Sequence, residues 1–225
     1  KTTDGGVHWE LSSYPTGVND QLYINDIFFL NASLGFTAVN RVFALDYDAG
    51  GWMMTTDGGR SWEVNYLQYP VNSIFFISPK IGFISIAIYS PDASLMHAIL
   101  KTNDGGVTWK ETFTHAAPYG ELKIRFTDST NGYAYQAPSN IFVTTDAGET
   151  WKLSATNKYI LSLAVGPDNV SCATFSDDQS ATTPSFIVRS TDGITWKPVA
   201  NYPFNNWRLG FSPVGMFGVA VGING

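Results

Sequence analysis

Thr55-Thr56-Asp57-Gly58-Gly59-Arg60-Ser61-Trp62 is the stretch that decides the fold, because it occurs five times. Residues 2–9 read TTDGGVHW, 102–109 TNDGGVTW, 144–151 TTDAGETW, and 190–196 STDGITW, the last one residue shorter. The shared pattern is [ST]-x-D-x-G-x-x-W. Its aspartates, Asp4, Asp57, Asp104, Asp146 and Asp192, are 53, 47, 42 and 46 residues apart. A motif repeating at this period belongs to a solenoid, a propeller or an array of small units.

The intervals choose among these. Between the third and fourth copies run Leu122–Phe126, a turn at 128–132, residues 133–135, a proline-containing loop and residues 141–143, with Trp151-Lys152-Leu153 closing the repeat. These are four short apolar or alternating runs separated by turn residues, which read as strands A to D. Similar A–B turns are expected at 31–35, 79–82 and 166–169. No window of about 12 residues supports an amphipathic helix. Four antiparallel strands per roughly 45 residues make one propeller blade. The motif is the C–D hairpin. Its aspartate accepts hydrogen bonds from loop N–H groups, its glycine supplies positive φ, and its Ser or Thr hydroxyl bonds locally. Its tryptophan opens strand D and is expected to be buried between neighbouring blades. The set Asp4, Trp9, Asp57, Trp62, Asp104, Trp109, Asp146, Trp151, Asp192 and Trp196 is therefore read as structural.

The five motifs resemble the Asp-box, or BNR repeat, and the resemblance covers essentially the whole chain. This repeat occurs in sialidases, xyloglucan-hydrolysing enzymes, sortilin-type luminal domains and photosystem II assembly factors. The C-terminal residues 218–225 resemble strand B of the assembly-factor type. What the resemblance implies is an all-β fold, a β-propeller of four-stranded antiparallel blades. The family holds both enzymes and binding scaffolds, so the motif names a fold and not an activity. The expected arrangement is a single propeller domain over residues 1–225. The blade count is five, at 45 residues each, with an arc of a larger six- to eight-bladed ring as the alternative. Residues 207–211 and 216–221 give strands A and B of a last blade, and residues 1–11 its C–D hairpin and strand D. Strand C of that blade is short by about three residues at the join, so the domain is also read as excised from a longer chain.

Strand order places A–B and C–D turns at one end of each blade and B–C and D–A loops at the other. In propellers of this family ligands usually sit at the second end. That end carries the candidate ligand-binding residues Tyr14, Tyr66, Tyr119, Tyr159, Tyr202, Trp207, Arg41 and Arg208, together with Tyr69. Aromatic platforms with scattered carboxylates suit sugar rings, and the same aromatics can simply cap blade ends. The longest B–C excursions, 41–51 and 176–184, bear Asp46, Asp48, Asp177 and Asp178; long loops on a rigid scaffold are where function concentrates. A glycosidase needs two carboxylates about 5–10 Å apart. Asp46, Asp48, Glu121, Asp177 and Asp178 are the candidates for that chemistry, with Asp20 beside them, and no pairing follows from sequence.

Composition and charge limit the alternatives. Charged residues are only 14% of the 225 and aromatics 15%, which excludes a disordered chain. The net charge of −6 argues against a nucleic-acid partner. No run of apolar residues is long enough for a transmembrane helix. Only five arginines are present, and Arg60 and Arg189 belong to Asp-box turns. The basic surface of the assembly factors and the arginine signature of sialidases have no counterpart here. Neither long loop completes a calcium motif, and His8, His97 and His115 form no sequence-adjacent ligand pair, so no metal or cofactor is expected. Cys172, the lone cysteine, is expected to be a buried inert thiol. The reading that results is a non-catalytic, extracytoplasmic module that binds a protein or glycan; a secreted glycoside hydrolase is the alternative.

Overall fold

The computed structural model describes residues 2, 4–11, 21–42, 50–89, 94–117, 120–136, 140–154, 159–166, 170–176, 185–202, 205–211 and 218–223. Every regular element among them is a β-strand, and no helix is long and apolar enough to cross a membrane. The chain divides into two compact units, residues 1–118 and 119–225.

In the first unit, β1 (Gln21–Phe29), β2 (Gly35–Val42), β3 (Gly50–Thr55) and β4 (Glu63–Leu67) form one antiparallel sheet in chain order. The strands β5 (Val71–Phe76), β6 (Gly82–Tyr89), β7 (Leu95–Thr102) and β8 (Lys110–Ala116) form the next. In the second unit, β9 (Leu122–Phe126), β10 (Gly132–Gln136), β11 (Asn140–Thr144) and β12 (Lys152–Ser154) make a third such sheet. A fourth follows from β13 (Tyr159–Val165), β14 (Ser171–Ser176), β15 (Ser185–Ser190) and β16 (Lys197–Tyr202). A two-stranded pair, β17 (Asn205–Phe211) and β18 (Gly218–Ile223), completes the unit. These meandering sheets are propeller blades, and the third reproduces the strands expected from sequence to within a residue or two. The N-terminal segment differs from expectation: described residues through Leu11 form the turn but no strand D. The long-loop bounds also shift, since β2 runs to Val42 and β3 begins at Gly50, placing Arg41 and Gly51 inside strands.

Packing follows from strands that are apolar on both faces. In the first unit Phe36, Ala38 and Trp52 of the first sheet meet Val71, Ile74, Phe76, Ile84, Ile86 and Ala98 of the second. The Phe36 and Phe76 rings stack at 3.8 Å and 6°, and Trp109 stands edge-on to Phe76 at 6.3 Å. Polar latches accompany the apolar seam. The Asp26 carboxylate accepts from Ser73 Oγ at 2.6 Å and from the Ile74 N–H, while Asn25 Nδ2 donates to the Val71 carbonyl. In the second unit Tyr133, Ile141, Ile160, Leu163, Ala173, Phe175 and Val188 share one core. There the Leu209 N–H donates to Ser162 Oγ, as the Ile74 N–H does to Asp26. Cys172 is half-buried instead of fully buried; burial raises its pKa, partly opposed by Arg189, so the thiol stays protonated and poorly nucleophilic.

Candidate functional site

Each of the four complete Asp-box turns joins strands C and D of its sheet, and each is closed by the same bonds. In the first sheet Thr55 Oγ1 donates to Asp57 Oδ1 at 2.8 Å and accepts from the Gly59 N–H at 2.8 Å. Asp57 Oδ1 accepts from the N–H groups of Arg60 and Ser61, and Oδ2 accepts from Ser61 Oγ at 2.6 Å. Thr102, Asp104, Gly106 and Thr108 repeat this set, as do Thr144, Asp146, Gly148 and Thr150. The shorter fifth copy closes with Ser190, Asp192, Gly193, Ile194 and Thr195. In the first copy His8 Nδ1 takes the hydroxyl's place, 2.6 Å from Asp4 Oδ2. The sequence pattern left the position before the tryptophan open. It holds Ser or Thr in four of five copies because that hydroxyl fills the second carboxylate oxygen.

The turn is also tied to its neighbour. The Gly58 N–H donates to the Ser33 carbonyl at 2.8 Å, Gly105 to Lys80 at 2.9 Å, and Ala147 to Thr130 at 2.9 Å. A–B and C–D turns thus stand side by side at one end of a sheet, leaving B–C and D–A loops at the other. In the second unit Trp196 Nε1 donates to Ser154 Oγ of the preceding sheet, and that hydroxyl donates to the Gly193 carbonyl. Trp151 is buried and Trp62, Trp109 and Trp196 are half-buried, whereas Trp9 is exposed, against expectation.

The electrostatic consequence is uniform. Hydrogen bonds from the turn hold the carboxyls of Asp4, Asp104 and Asp146 down at about 2 from an ordinary 3.8, and push Asp57 and Asp192 lower still. Asp128, in the A–B turn of the third sheet, is also held at about 2, by Asn131 and Thr130 against the opposing effect of burial. A folded-state pKa below the unfolded value gives stability that is full above about pH 4 and is lost as pH falls toward 2. Denaturant melts across that range should show wild-type stability declining. Asp104→Asn, which keeps an acceptor oxygen but no charge, should flatten the decline; an unchanged pH profile would mean the turn charge does not matter.

At the opposite end the described residues place Tyr66 at the end of β4 and Tyr69 in the following loop, both exposed. Tyr89, which the sequence reading did not select, joins them at the end of β6 and is also exposed; that strand is buried over its first five residues and emerges from the core only at its end. Arg41 pairs with Leu22 across β1 and β2, Tyr159 with Ser176, Tyr202 with Ser185, and Arg208 with Val221. Trp207 lies in β17 at a register shift. Glu121 is exposed and its Oε2 is 2.8 Å from Lys123 Nζ. Tyr14, Tyr119, Asp20, Asp46, Asp48, Asp177 and Asp178 lie outside the described residues. A second feature missed from sequence is a histidine pair. His97 and His115 are directly opposite on β7 and β8, and burial lowers the pKa of His115, so it is neutral near pH 7. Both stand nine residues from Gly106, so the hairpin centre was the available signal. No cluster of three metal-ligating side chains occurs among the described residues.

A family model, BNR/Asp-box repeat, matches residues 142–153, which span the end of β11, the fourth turn and most of β12. The turn it matches is an Asp-box repeat, one of the five copies of the motif in the chain. No curated protein matches it significantly. Among solved structures, the fold is similar to that of "YCF48 bound to D1 peptide", with TM-score 0.57 and 21% identity over 91% of this chain and 63% of that one. The chain thus spans less than two thirds of that structure. A Penicillium chrysogenum alpha-L-arabinanase complexed with arabinobiose matches with TM-score 0.55 and 9% identity, over 85% and 71%. A Trypanosoma rangeli sialidase in complex with 2,3-difluoro-KDN matches with TM-score 0.54 and 9% identity, over 97% and 45%. At these identities the likeness establishes the propeller fold, which binding proteins and glycoside hydrolases share.

Proposed function

We propose that the chain is a non-catalytic binding module that engages a protein or glycan ligand at the B–C and D–A loop end of its sheets. The observation that carries this reading is the state of the carboxylates. Every described Asp whose pKa is displaced is displaced downward by hydrogen bonds within its own turn. Glycoside hydrolysis needs one carboxyl raised enough to donate a proton beside a second that stays ionised. Glu121, the described member of the candidate acids, is exposed and held by Lys123. The exposed tyrosines Tyr66, Tyr69 and Tyr89 supply rigid amphipathic contact area at low entropic cost. YCF48, of the same fold, is bound to a peptide, which favours a protein ligand over a glycan. An extracytoplasmic location goes with this reading, on the resemblance to the mostly extracytoplasmic Asp-box proteins together with the near-absence of cysteine.

The test is a paired screen of the full chain on glycan arrays and peptide libraries, with hydrolysis assays on the same glycans. Binding without turnover, weakened at least tenfold by Tyr66→Ala or Tyr89→Ala, is the expected result. Turnover abolished by Asp46→Asn, Asp48→Asn, Glu121→Gln, Asp177→Asn or Asp178→Asn would replace the reading with a glycoside hydrolase.

A further inference from the structure

Two N-x-S triplets occur in the chain, Asn31-Ala32-Ser33 and Asn169-Val170-Ser171, neither with proline in the middle. Such a triplet accepts an N-linked oligosaccharide where its asparagine amide and its hydroxyl can both be reached. The first lies in the A–B turn of the first sheet, and all three of its residues are exposed. The second differs. Ser171 is 0% exposed, and its Oγ donates to the Tyr133 hydroxyl at 2.9 Å in the core of the second unit. Asn169 lies outside the described residues.

The other A–B turns show what folding asks of these positions. Asn31 Oδ1 accepts from the Ser33 and Leu34 N–H groups, both at 2.9 Å. Ser78 Oγ does the same for Lys80 and Ile81 in the second sheet, and Asp128 Oδ1 for Thr130 and Asn131 in the third. The first position of the turn thus needs only an acceptor oxygen, which Asn, Ser and Asp all supply. The third position is Ser33, Lys80 or Thr130, and the bond it repeats is a backbone one. The Ser33 carbonyl takes the Gly58 N–H, as Lys80 takes that of Gly105 and Thr130 that of Ala147. Neither Asn31 Nδ2 nor Ser33 Oγ makes a hydrogen bond among the described residues. The amide nitrogen and the hydroxyl that the turn does not use are the two groups that the modification requires.

We infer that Asn31 is an N-glycosylation site. The donor is an oligosaccharide carried on a polyprenyl pyrophosphate. Asn31 Nδ2 attacks the anomeric carbon, forming the carbon–nitrogen bond. The carbon–oxygen bond to pyrophosphate breaks, the lipid pyrophosphate leaves with its electron pair, and Nδ2 gives up one proton. Two N–H groups on Oδ1 favour the negative charge that gathers on that oxygen as the proton departs. These bonds lie within four consecutive residues, so the turn can form before the sheet assembles, whereas assembly of β14 withdraws the Ser171 hydroxyl. The glycan projects from the Asp-box end, opposite the loops assigned to ligand. The inference rests on the extracytoplasmic location proposed above, since only there does the chain meet the donor.

The test expresses the full chain in insect cells behind a cleavable secretory leader and reads occupancy at each asparagine by mass spectrometry after amidase release in heavy-oxygen water. Occupancy at Asn31 is expected to exceed that at Asn169 at least tenfold. Ser33→Ala should abolish the glycan while keeping the Asn31 acceptor, and Asn31→Ser should abolish it while keeping the acceptor type that Ser78 provides. Bacterially expressed Ser33→Ala should melt at the wild-type temperature, which shows that the hydroxyl is not there for the fold. A bare Asn31 in the secreted chain, or occupancy at Asn169 as high as at Asn31, would overturn the assignment. So would secretion of wild type below that of Asn31→Ser, because the fold would then not tolerate the glycan. The leader imposes the location, so each of these results overturns the site and leaves the extracytoplasmic reading standing; that reading fails separately if the protein is found in the cytoplasm of its own cells.

Discussion

Gly106→Ala is expected to lower the unfolding free energy by about 3 kcal/mol, while Gly6→Ala, at the same place in the repeat, costs about 1 kcal/mol. Both glycines have left-handed backbone, φ 96° and φ 94°, so both substitutions incur the same backbone penalty of about 1–2 kcal/mol. They differ in what a side chain would meet. At Gly6 the nearest atoms are on Trp9, 3.8 Å away, an ordinary contact. At Gly106 the Trp52 ring lies at 2.4 and 2.7 Å, and that ring is buried and held between Phe36, Phe76 and Trp109. It cannot retreat without opening the seam between the two sheets, and overpacking of this kind adds about 1–3 kcal/mol. Urea denaturation followed by tryptophan fluorescence measures both variants. Equal losses would show that the glycine is there only for its φ and that the close approach to Trp52 carries no energy. Gly193 is in a similar position against Tyr133 and Val143, at 2.7 and 2.8 Å.

The same turns show how far the sequence could be read. Strand positions and the pairing of turns at one end follow from local chemistry repeated five times: Thr55, Asp57 and Ser61 bond within eight residues, and the apolar runs between copies alternate or stay apolar in short stretches. Such information is local, so one sequence carries it. The hydroxyl before four of the five tryptophans is equally local, at a position that the pattern leaves unspecified. The pairing of His97 with His115 was legible from the hairpin centre. What was not legible depends on neighbours distant in the chain. Trp9 carries the same motif as Trp109, yet it is exposed, because burial comes from the adjoining sheet and not from the turn. Cys172 sits in an apolar run, yet it is half-buried, because its row across the sheet continues into Arg189 and Lys197 instead of an aromatic. The ligand end rests on loop side chains, whose partners no periodicity encodes. Asp146-Ala147-Gly148 adds a further case: Ala147 has φ 58° where the other eight-residue copies have glycine, so the motif tolerates a local strain that its consensus would not predict.

The second large effect is expected at Phe76. Phe76→Ala should destabilise the first unit by about 4 kcal/mol, within the range for deleting a buried phenylalanine. Phe29→Ala should cost only about 1 kcal/mol, since the surface it removes is already part-solvated. The two residues share a register position and an edge-on box tryptophan, Trp109 at 6.3 Å and Trp62 at 6.0 Å, so their intrinsic strand preferences and local rings cancel in the comparison. What remains is the covering sheet: the Phe36 stack, the Trp52 contact and the closed apolar surface around Ile74 and Ile84. Truncating Phe76 leaves a cavity walled by rings that are fixed from several sides, and such cavities collapse poorly. Truncating Phe29 only widens a groove that water already enters. The pair therefore measures the energy of one sheet-to-sheet contact, by chemical denaturation of the two variants under identical conditions. A Phe29→Ala cost that also reaches about 4 kcal/mol would mean that the covering sheet does not account for the difference in burial between the two positions.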